Sequence, residues 1–303
     1  MAAIAYLSDQ NMLDYHRLNG NQKIVFWRVS TKKFSSFMVG DLLFFLAKGS
    51  ENTRNNEKGI TGYGVFEDEK QMSVDNMWKK YGTATGYINK EELESAILKT
   101  TRNKMPEKIS CLLLKNVIFF QGPVYLSEVG IKLPSNLESF TYLDTSEGHI
   151  TLELLEKIKE VGIDYWSAAL NNVSVDTESF DREILRYQIA TVYENGGIEP
   201  ITNAHTYNRK CYTAKKHLNP EWINNKQNSF IVFGHPNTLY YIYSTSNRDS
   251  RENFITLTGQ LSYLSYYLRE KIDPNIEITV ISKNQFTFEQ SSILYRQNIK
   301  IEY

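Results

Sequence analysis

The chain has 303 residues with a formal net charge of −1, 41% hydrophobic and 23% charged residues, the composition of an ordinary water-soluble fold of more than one domain. A pI near 6.6 excludes a protein that grips long duplexes through a uniformly basic surface. Residues 1–150 hold 18 basic and 17 acidic side chains and the remainder 16 and 18, so any nucleic-acid contact has to come from local patches.

In chain order, Ala3 to Leu7 reads as a strand followed by a polar turn. Ile24 to Trp27 is a second strand, and Arg28, Lys32 and Lys33 beside it form a basic patch. Gly40-Asp41 turns into Leu42–Leu46, a strand too apolar to face water on either side. After the charged loop Gly49–Gly59, a strand over Ile60–Phe66 is interrupted by Gly62 and Gly64, the mark of a bulge or of a close approach to the backbone. Residues 73–82 predict a short helix, and Lys90–Thr100 a longer one behind an Asn89 cap. Ile109–Phe120 is a buried strand, "GIKL" and "SFTYL" are short extended segments, and Glu147–Val161 is a helix with Leu152, Leu155 and Ile158 on one stripe. The polar stretch Asn171–Glu178 reads as the domain boundary, giving domains over 1–150 and 179–303 joined by a helix and linker over 151–178.

In the second half, Arg182–Asn195 reads as a helix ended by Gly196-Gly197. A strand Ile198–Ala204 leads into a second basic patch with Arg209, Lys210, Lys215 and Lys216. Ser229–Phe233 and Leu239–Tyr243 form a hairpin through Gly-His-Pro-Asn. Leu257, Leu261, Leu264, Leu268 and Ile272 mark a helix over Thr256–Ile272 that Pro274 stops. Strand Ile276–Ile281, helix Phe288–Arg296 and strand Ile299–Tyr303 follow. The order is α+β in the first half and α/β in the second.

Trp27-x-Val29-Ser30, the Gly40-Asp41 turn with its apolar strand and Lys48-Gly49, then "GITGYG" from Gly59, resemble the EVE branch of the PUA-like superfamily, which also contains the ASCH and YTH domains. Met77–Gly82, Ile109–Phe120, Pro123 and "EVGIKL" agree in order, and the resemblance spans about residues 1–150. It implies a small closed β-barrel that holds a modified or flipped base between aromatic walls. Trp27, Phe45, Tyr63, Trp78 and Tyr81 would be those walls, with Ser30 and Asp41 reading the base edge. The two basic patches are the candidate phosphate contacts, although adjacent rings such as Phe44 and Phe45 point to opposite faces, so that half of them must be core.

Residues 181–303 resemble a PD-(D/E)XK nuclease core, with Gln260 and Tyr263 on the helix after the hairpin. That family's metal chemistry needs paired carboxylates and a lysine. Tyr243 and Thr245 stand at the carboxylate and lysine positions, and Ser229–Phe233 contains no Asp, so the resemblance implies a core without its metal site. Glu183, Glu194, Glu199, Asp249 and Glu252 are the acids that could substitute; the plainer reading is surface solvation and helix N-terminal placement, for which Asp181 and Glu183 are well suited. His16, His149, His205, His217 and His235 have no metal spacing, and Cys111 and Cys211, 100 residues apart, suggest a reducing compartment without disulfides.

No apolar run reaches bilayer length and no signal-peptide pattern opens the chain, so a cytoplasmic address and no membrane partner are expected. Three functions remain open. The first is a non-catalytic reader of a modified base in DNA or RNA, serving prokaryotic anti-phage defence, with its second domain engaging backbone, a second copy or another protein. The second is a Mg-dependent, modification-directed endonuclease, and the third a small-molecule or protein-interaction module. The expectation taken forward is the first, with no cofactor; Mg enters only with the second.

Overall fold

The computed structural model describes residues 2–133, 137, 139–144, 150–165, 177–201, 204–223, 226–244 and 251–303. The chain divides into two compact units, Ala2–Phe180 and Asp181–Tyr303. Among the described residues no helix is long and apolar enough to cross a membrane.

The first unit runs β1 (Ala3–Ser8), α1 (Gln10–Leu18), β2 (Ile24–Arg28), β3 (Leu42–Ala47), β4 (Ile60–Met72), α2 (Val74–Tyr81), α3 (Lys90–Thr100), β5 (Ile109–Val124), β6 (Phe140–Tyr142) and α4 (Ile150–Val161). Its six strands pair in the order β2-β5-β4-β3-β1-β6. Only β1 and β3 are parallel. Among the described residues the sheet is therefore open, with β2 and β6 at its edges, and they do not form the closed barrel expected from the resemblance. Yet it curls. Tyr6 on β1 and Phe26 on β2 have three strands between them in the sheet, yet their ring centroids are 5.1 Å apart. Phe34, on the Val29–Gly40 connection, touches both edges: it lies 5.0 Å from Phe140 of β6 and 4.1 Å from the guanidinium of Arg28 on β2. This strap occupies the gap that a closing ladder would fill.

Pleating sorts the rings of adjacent residues onto two faces. Phe45 faces the inside of the curl, where it meets Phe26 and Phe119. Phe44 faces outward against Tyr63, which in turn meets Phe120. The inner core is sealed by Met12 and Leu13 of α1, Met77 of α2, and Leu93 and Ile97 of α3. Each such side chain, fully buried, contributes roughly 1.5–3 kcal/mol. The glycines of β4 have a backbone cause. A Cβ at Gly62 would lie 2.5 Å from the Ile118 carbonyl oxygen, and one at Gly64 2.9 Å from Leu114 Cβ. The β4–β5 register also shifts beside both. The close approach read from the sequence is that of the neighbouring strand.

Helix α1 replaces the expected polar turn. Asp9 caps it by accepting from Met12 N at 3.1 Å. "SFTYL" contributes β6, whereas "GIKL" lies outside the strands of the unit.

In the second unit, α5 (Thr177–Asn195) is followed by α6 (His205–Ala214), β7 (Glu221–Trp222), β8 (Ser229–Val232), β9 (Thr238–Tyr243), α7 (Arg251–Lys271), β10 (Glu277–Ser282), α8 (Phe288–Arg296) and β11 (Ile299–Glu302). The strands lie side by side in sequence order. Strand β8 is antiparallel to β7 and β9, and β10 is parallel to β9 and β11. The leucine stripe Leu257, Leu261, Leu264, Leu268 is fully buried, as its spacing requires. Ile272 falls just past the helix end. The Ile198–Ala204 segment is not a strand: Ile198–Ile201 is irregular and Ala204 leads into α6, which holds the basic segment in a helix. Residues 202 and 203, Thr245, Asp249, His149 and most of Asn171–Glu178 lie outside the described residues.

Candidate functional site

The end of β1 supplies Asp9, whose Oδ1 caps α1 and also accepts from Tyr87 Oη at 3.3 Å. Tyr87 arrives on a turn that only glycine permits: Gly86 has φ +89°, and a Cβ there would collide with Met12 Cγ and His16 Nε2. Burial first, and then the Asp9 carboxylate, push the Tyr87 hydroxyl far above the ordinary tyrosine range, so it stays a proton donor. Helix α3, capped by Asn89 accepting from Glu92 N at 2.9 Å, buries Leu93 and Ile97 and turns Glu92, Ser95, Ala96 and Lys99 the other way. Its last turn runs into Arg102 and Asn103, both left-handed at φ +55° and +61°.

These elements enclose a cavity of about 700 Å³ walled by Asp9, Asn11, Lys48, Tyr87, Lys99 and Arg102, with Glu92, Ser95, Ala96 and Thr100 completing it. Three cations against two carboxylates leave its walls with one net positive charge, in a chain whose total is −1. The site is suited to an anion attached to a polar ring. Sequence reading missed it. The available signal was Asp9 followed by Met12, Leu13 and His16 at helical spacing, which brings the end of β1 to a helix start.

The residues expected to wall a base pocket are elsewhere. Trp27 is packed in the inner core, its ring 6.4 Å from that of Tyr87. Phe45 and Tyr63 are both 0% exposed and lie on opposite faces of the sheet, so they cannot wall one pocket. Trp78 and Tyr81 are half-buried on α2 against the inner core. Asp41 is buried and accepts from Met38 N at 2.8 Å, which shapes its turn. Ser30 is exposed. None of these seven lines the 700 Å³ cavity.

The basic candidates separate too. Arg28 is 4% exposed and donates to Glu69 Oε1 at 3.0 Å, while Lys32 and Lys33 are exposed on the strap. In the second unit Arg209 and Lys210 line an open groove of about 510 Å³ with His205, Thr206 and Thr213. Lys215 is engaged with Glu302 at 2.8 Å, and Lys216 is exposed in the following turn.

Where the nuclease resemblance placed a metal carboxylate, Tyr243 is buried and stacks on Phe286 at 5.6 Å. Gln260 Oε1 accepts from Tyr241 Oη at 2.6 Å and its Nε2 donates to the Glu199 carbonyl oxygen at 3.0 Å. Tyr263 is pressed against Gly196. Glu183 is not a solvated first-turn acid: at 2% exposure its Oε2 accepts from Nε at 3.0 Å and Nη2 at 2.5 Å of the buried Arg186, with Glu221 3.5 Å from that Nε. The helix begins at Thr177, which carries Glu183 into its second turn and against the core. Among the described residues no three His, Cys, Asp or Glu side chains gather closely enough to hold a metal ion. Cys111 and Cys211 are both free and buried.

No protein-family model matches this chain, and no curated protein matches it. Solved structures similar to it include the ASCH protein of Zymomonas mobilis, 17% identical over 50% of this chain and 94% of the other, with a TM-score of 0.35. A tyrosine-to-phenylalanine variant of that protein gives 17% identity, 51% and 96% coverage and a TM-score of 0.35. Its serine-to-alanine variant gives 16%, 51%, 95% and 0.36. These structures cover about half of this chain.

Proposed function

We propose that this protein binds nucleic acid and holds one nucleotide in the cavity between α1, the end of β3 and α3. The observation that carries the reading is the wall chemistry: Lys48, Lys99 and Arg102 face the same space as Asp9, Asn11 and the Tyr87 hydroxyl. Phosphate accounts for the cations, and a base edge with donors and acceptors accounts for the acid and the amide. The volume lies within the ~300–1,000 Å³ of small-ligand sites. On the second unit, Arg209 and Lys210 offer a separate phosphate-binding groove. Capture of a modified base, in DNA or RNA and in the service of phage defence, is the narrower form of this reading.

Fluorescence anisotropy with labelled single-stranded RNA, single-stranded DNA and DNA carrying hydroxymethylated cytosine tests it. Affinity is expected to fall steeply between about 50 and 200 mM salt. Lys48→Ala/Lys99→Ala is expected to weaken binding about tenfold and to lower the salt slope by roughly one per lysine. Binding by neither strand type at the lower salt, or an unchanged double variant, overturns the proposal. A preference for the hydroxymethylated strand supports the narrower form, and strand cleavage on adding Mg transfers the case to the endonuclease.

A further inference from the structure

We infer that the β11 edge of the second unit is a homodimer interface: a second copy of this chain lays its own β11 antiparallel to it, about a twofold axis at Ile301, and the two five-stranded sheets become one. The interface lies wholly in the second unit and does not rest on the nucleotide cavity of the first.

The first observation is that this edge is left open. An edge strand presents unpaired N–H and C=O groups, and proteins blunt it with brevity, proline, a bulge or a cover. At the far side of the same sheet β7 is only two residues long. Among the described residues β11 pairs with β10 alone, in an unbroken parallel register from Ile299 to Glu302 that contains no proline. It is also held at both ends. Arg269 donates to the carbonyl oxygens of Gln297 and Asn298 at 3.3 and 3.0 Å before the strand, and Tyr303 Oη accepts from Phe286 N at 3.3 Å after it. Such an edge is ordered before a partner arrives.

The second is that its sequence fits itself. A twofold axis through a sheet edge stands perpendicular to the sheet, so each face continues into the same face of the second copy and opposite residues face alike. The axis can then fall on Lys300, Ile301 or Glu302. On Lys300 or Glu302 it sets like charges against each other. On Ile301 it sets Lys300 opposite Glu302 of the second copy, and does so twice by symmetry. The outer neighbours of these charges already alternate: Lys300 binds Glu277 at 2.6 Å, and Glu302 binds Lys215 at 2.8 Å. Across the paired edge the row Glu277, Lys300, then Glu302 and Lys215 of the second copy changes sign at every step.

The third is the apolar flank. On the other face of β11, Ile299 is buried and Ile301 half-buried, while the neighbouring Tyr303 is 62% exposed. The same pairing sets each Tyr303 opposite Ile299 of the second copy. Helix α8, which leads into β11 and packs Leu294 into the core that holds Ile299, leaves Phe288 and Tyr295 exposed on one helical face. Phe288, at 90%, is the most exposed large apolar side chain among the described residues. Surface ion pairs contribute little on their own, so the charges set the register and the apolar rim supplies the attraction.

Sedimentation velocity of the whole chain between about 1 and 200 µM tests this, because a short edge with a small rim belongs to the weak class of interfaces. The 35.2 kDa chain is expected to shift toward twice that mass as concentration rises. Lys300→Glu alone sets acid against acid across the axis, and Glu302→Lys alone sets base against base; each is expected to weaken dimerisation about tenfold. Mixed in equal amounts, the two variants meet with opposite charges, and the dimer is expected to return, which excludes misfolding as the cause of its loss. Lys48→Ala/Lys99→Ala is expected to dimerise as the wild type does. A chain that stays monomeric at the highest concentration leaves the edge to a strand of another protein and overturns the inference. So does a dimer that neither charge change weakens, a mixture that fails to reassociate, or a dimer lost in the lysine variant.

Discussion

Two buried arginines, one in each unit, show what separates a structural ion from an available one. Arg186 in the second unit is enclosed by carboxylates: Glu183 takes two of its N–H groups and Glu221 stands 3.5 Å from the Nε. Burial alone would lower its pKa, but the two carboxylates outweigh that and hold the guanidinium firmly charged. Arg28 in the first unit is buried almost as deeply, yet it has one carboxylate, one carbonyl and an aromatic face, and its Nε is unpaired. In the second unit the buried guanidinium is closed in by salt bridges. The first leaves the Arg28 Nε donor without a partner among the described residues, with the Phe34 ring against the guanidinium.

The sharpest way to break this comparison is to remove the acid from the closed site. Glu183→Ala removes the nearer carboxylate from the buried Arg186 and leaves the more distant Glu221, and is expected to cost the second unit about 3–5 kcal/mol. Chemical denaturation followed by tyrosine and tryptophan fluorescence reads this as an earlier transition; a loss below about 1 kcal/mol would mean that Glu221 carries the pair.

Acid separates the units next. Burial lowers the His16 pKa to about 4, from an ordinary 6.5. The folded state therefore binds the proton less readily than the unfolded chain. Stability contributed by the neutral ring is complete above about pH 6.5, declines as pH falls, and is fully lost below about 4, a loss of roughly 3 kcal/mol at 1.36 kcal/mol per pKa unit. His16 packs between α1 and the Gly86 turn, so the first unit is expected to loosen in this window. His16→Asn is expected to flatten the pH dependence; an unchanged profile would place the acid sensitivity elsewhere.

The smallest effect concerns the cavity's own wall. Arg102 sits at φ +55°, where a side chain costs about 1–2 kcal/mol and glycine nothing. Arg102→Gly is expected to raise thermal stability by about 1 kcal/mol while weakening oligonucleotide binding. A stabilised variant with full affinity would remove Arg102 from the site and leave the cations to Lys48 and Lys99.

Much of the fold was legible where a residue pattern has one physical solution. The Leu257–Leu268 stripe, the Asn89 cap and the β8–β9 hairpin fall where their spacing put them. Polar helices were not legible. Helix α6 buries only Asn208 and Cys211, too few for a stripe, and α1 hides its start behind a single capping aspartate. Closure of the sheet is a matter of edges, and no local pattern announced that a three-residue β6 would pair with β1 alone. Nor could ring-rich strands say which ring is core: Phe44 and Phe45 differ only in the face to which the pleat turns them. The cavity depends on Asp9, Lys48, Tyr87 and Lys99, which are up to 90 residues apart in the chain, and only the fold assembles them.

Strand β1 is interior, held between β3 and β6, although both of its neighbours come later in the chain. A ribosome releases it long before Leu42–Ala47 and Phe140–Tyr142 exist to flank it. Its continuous apolar run Ala3–Leu7 must wait for most of the unit to be synthesised, so this strand is what a chaperone would be expected to shield, and removing it would split the sheet from within rather than shorten its margin.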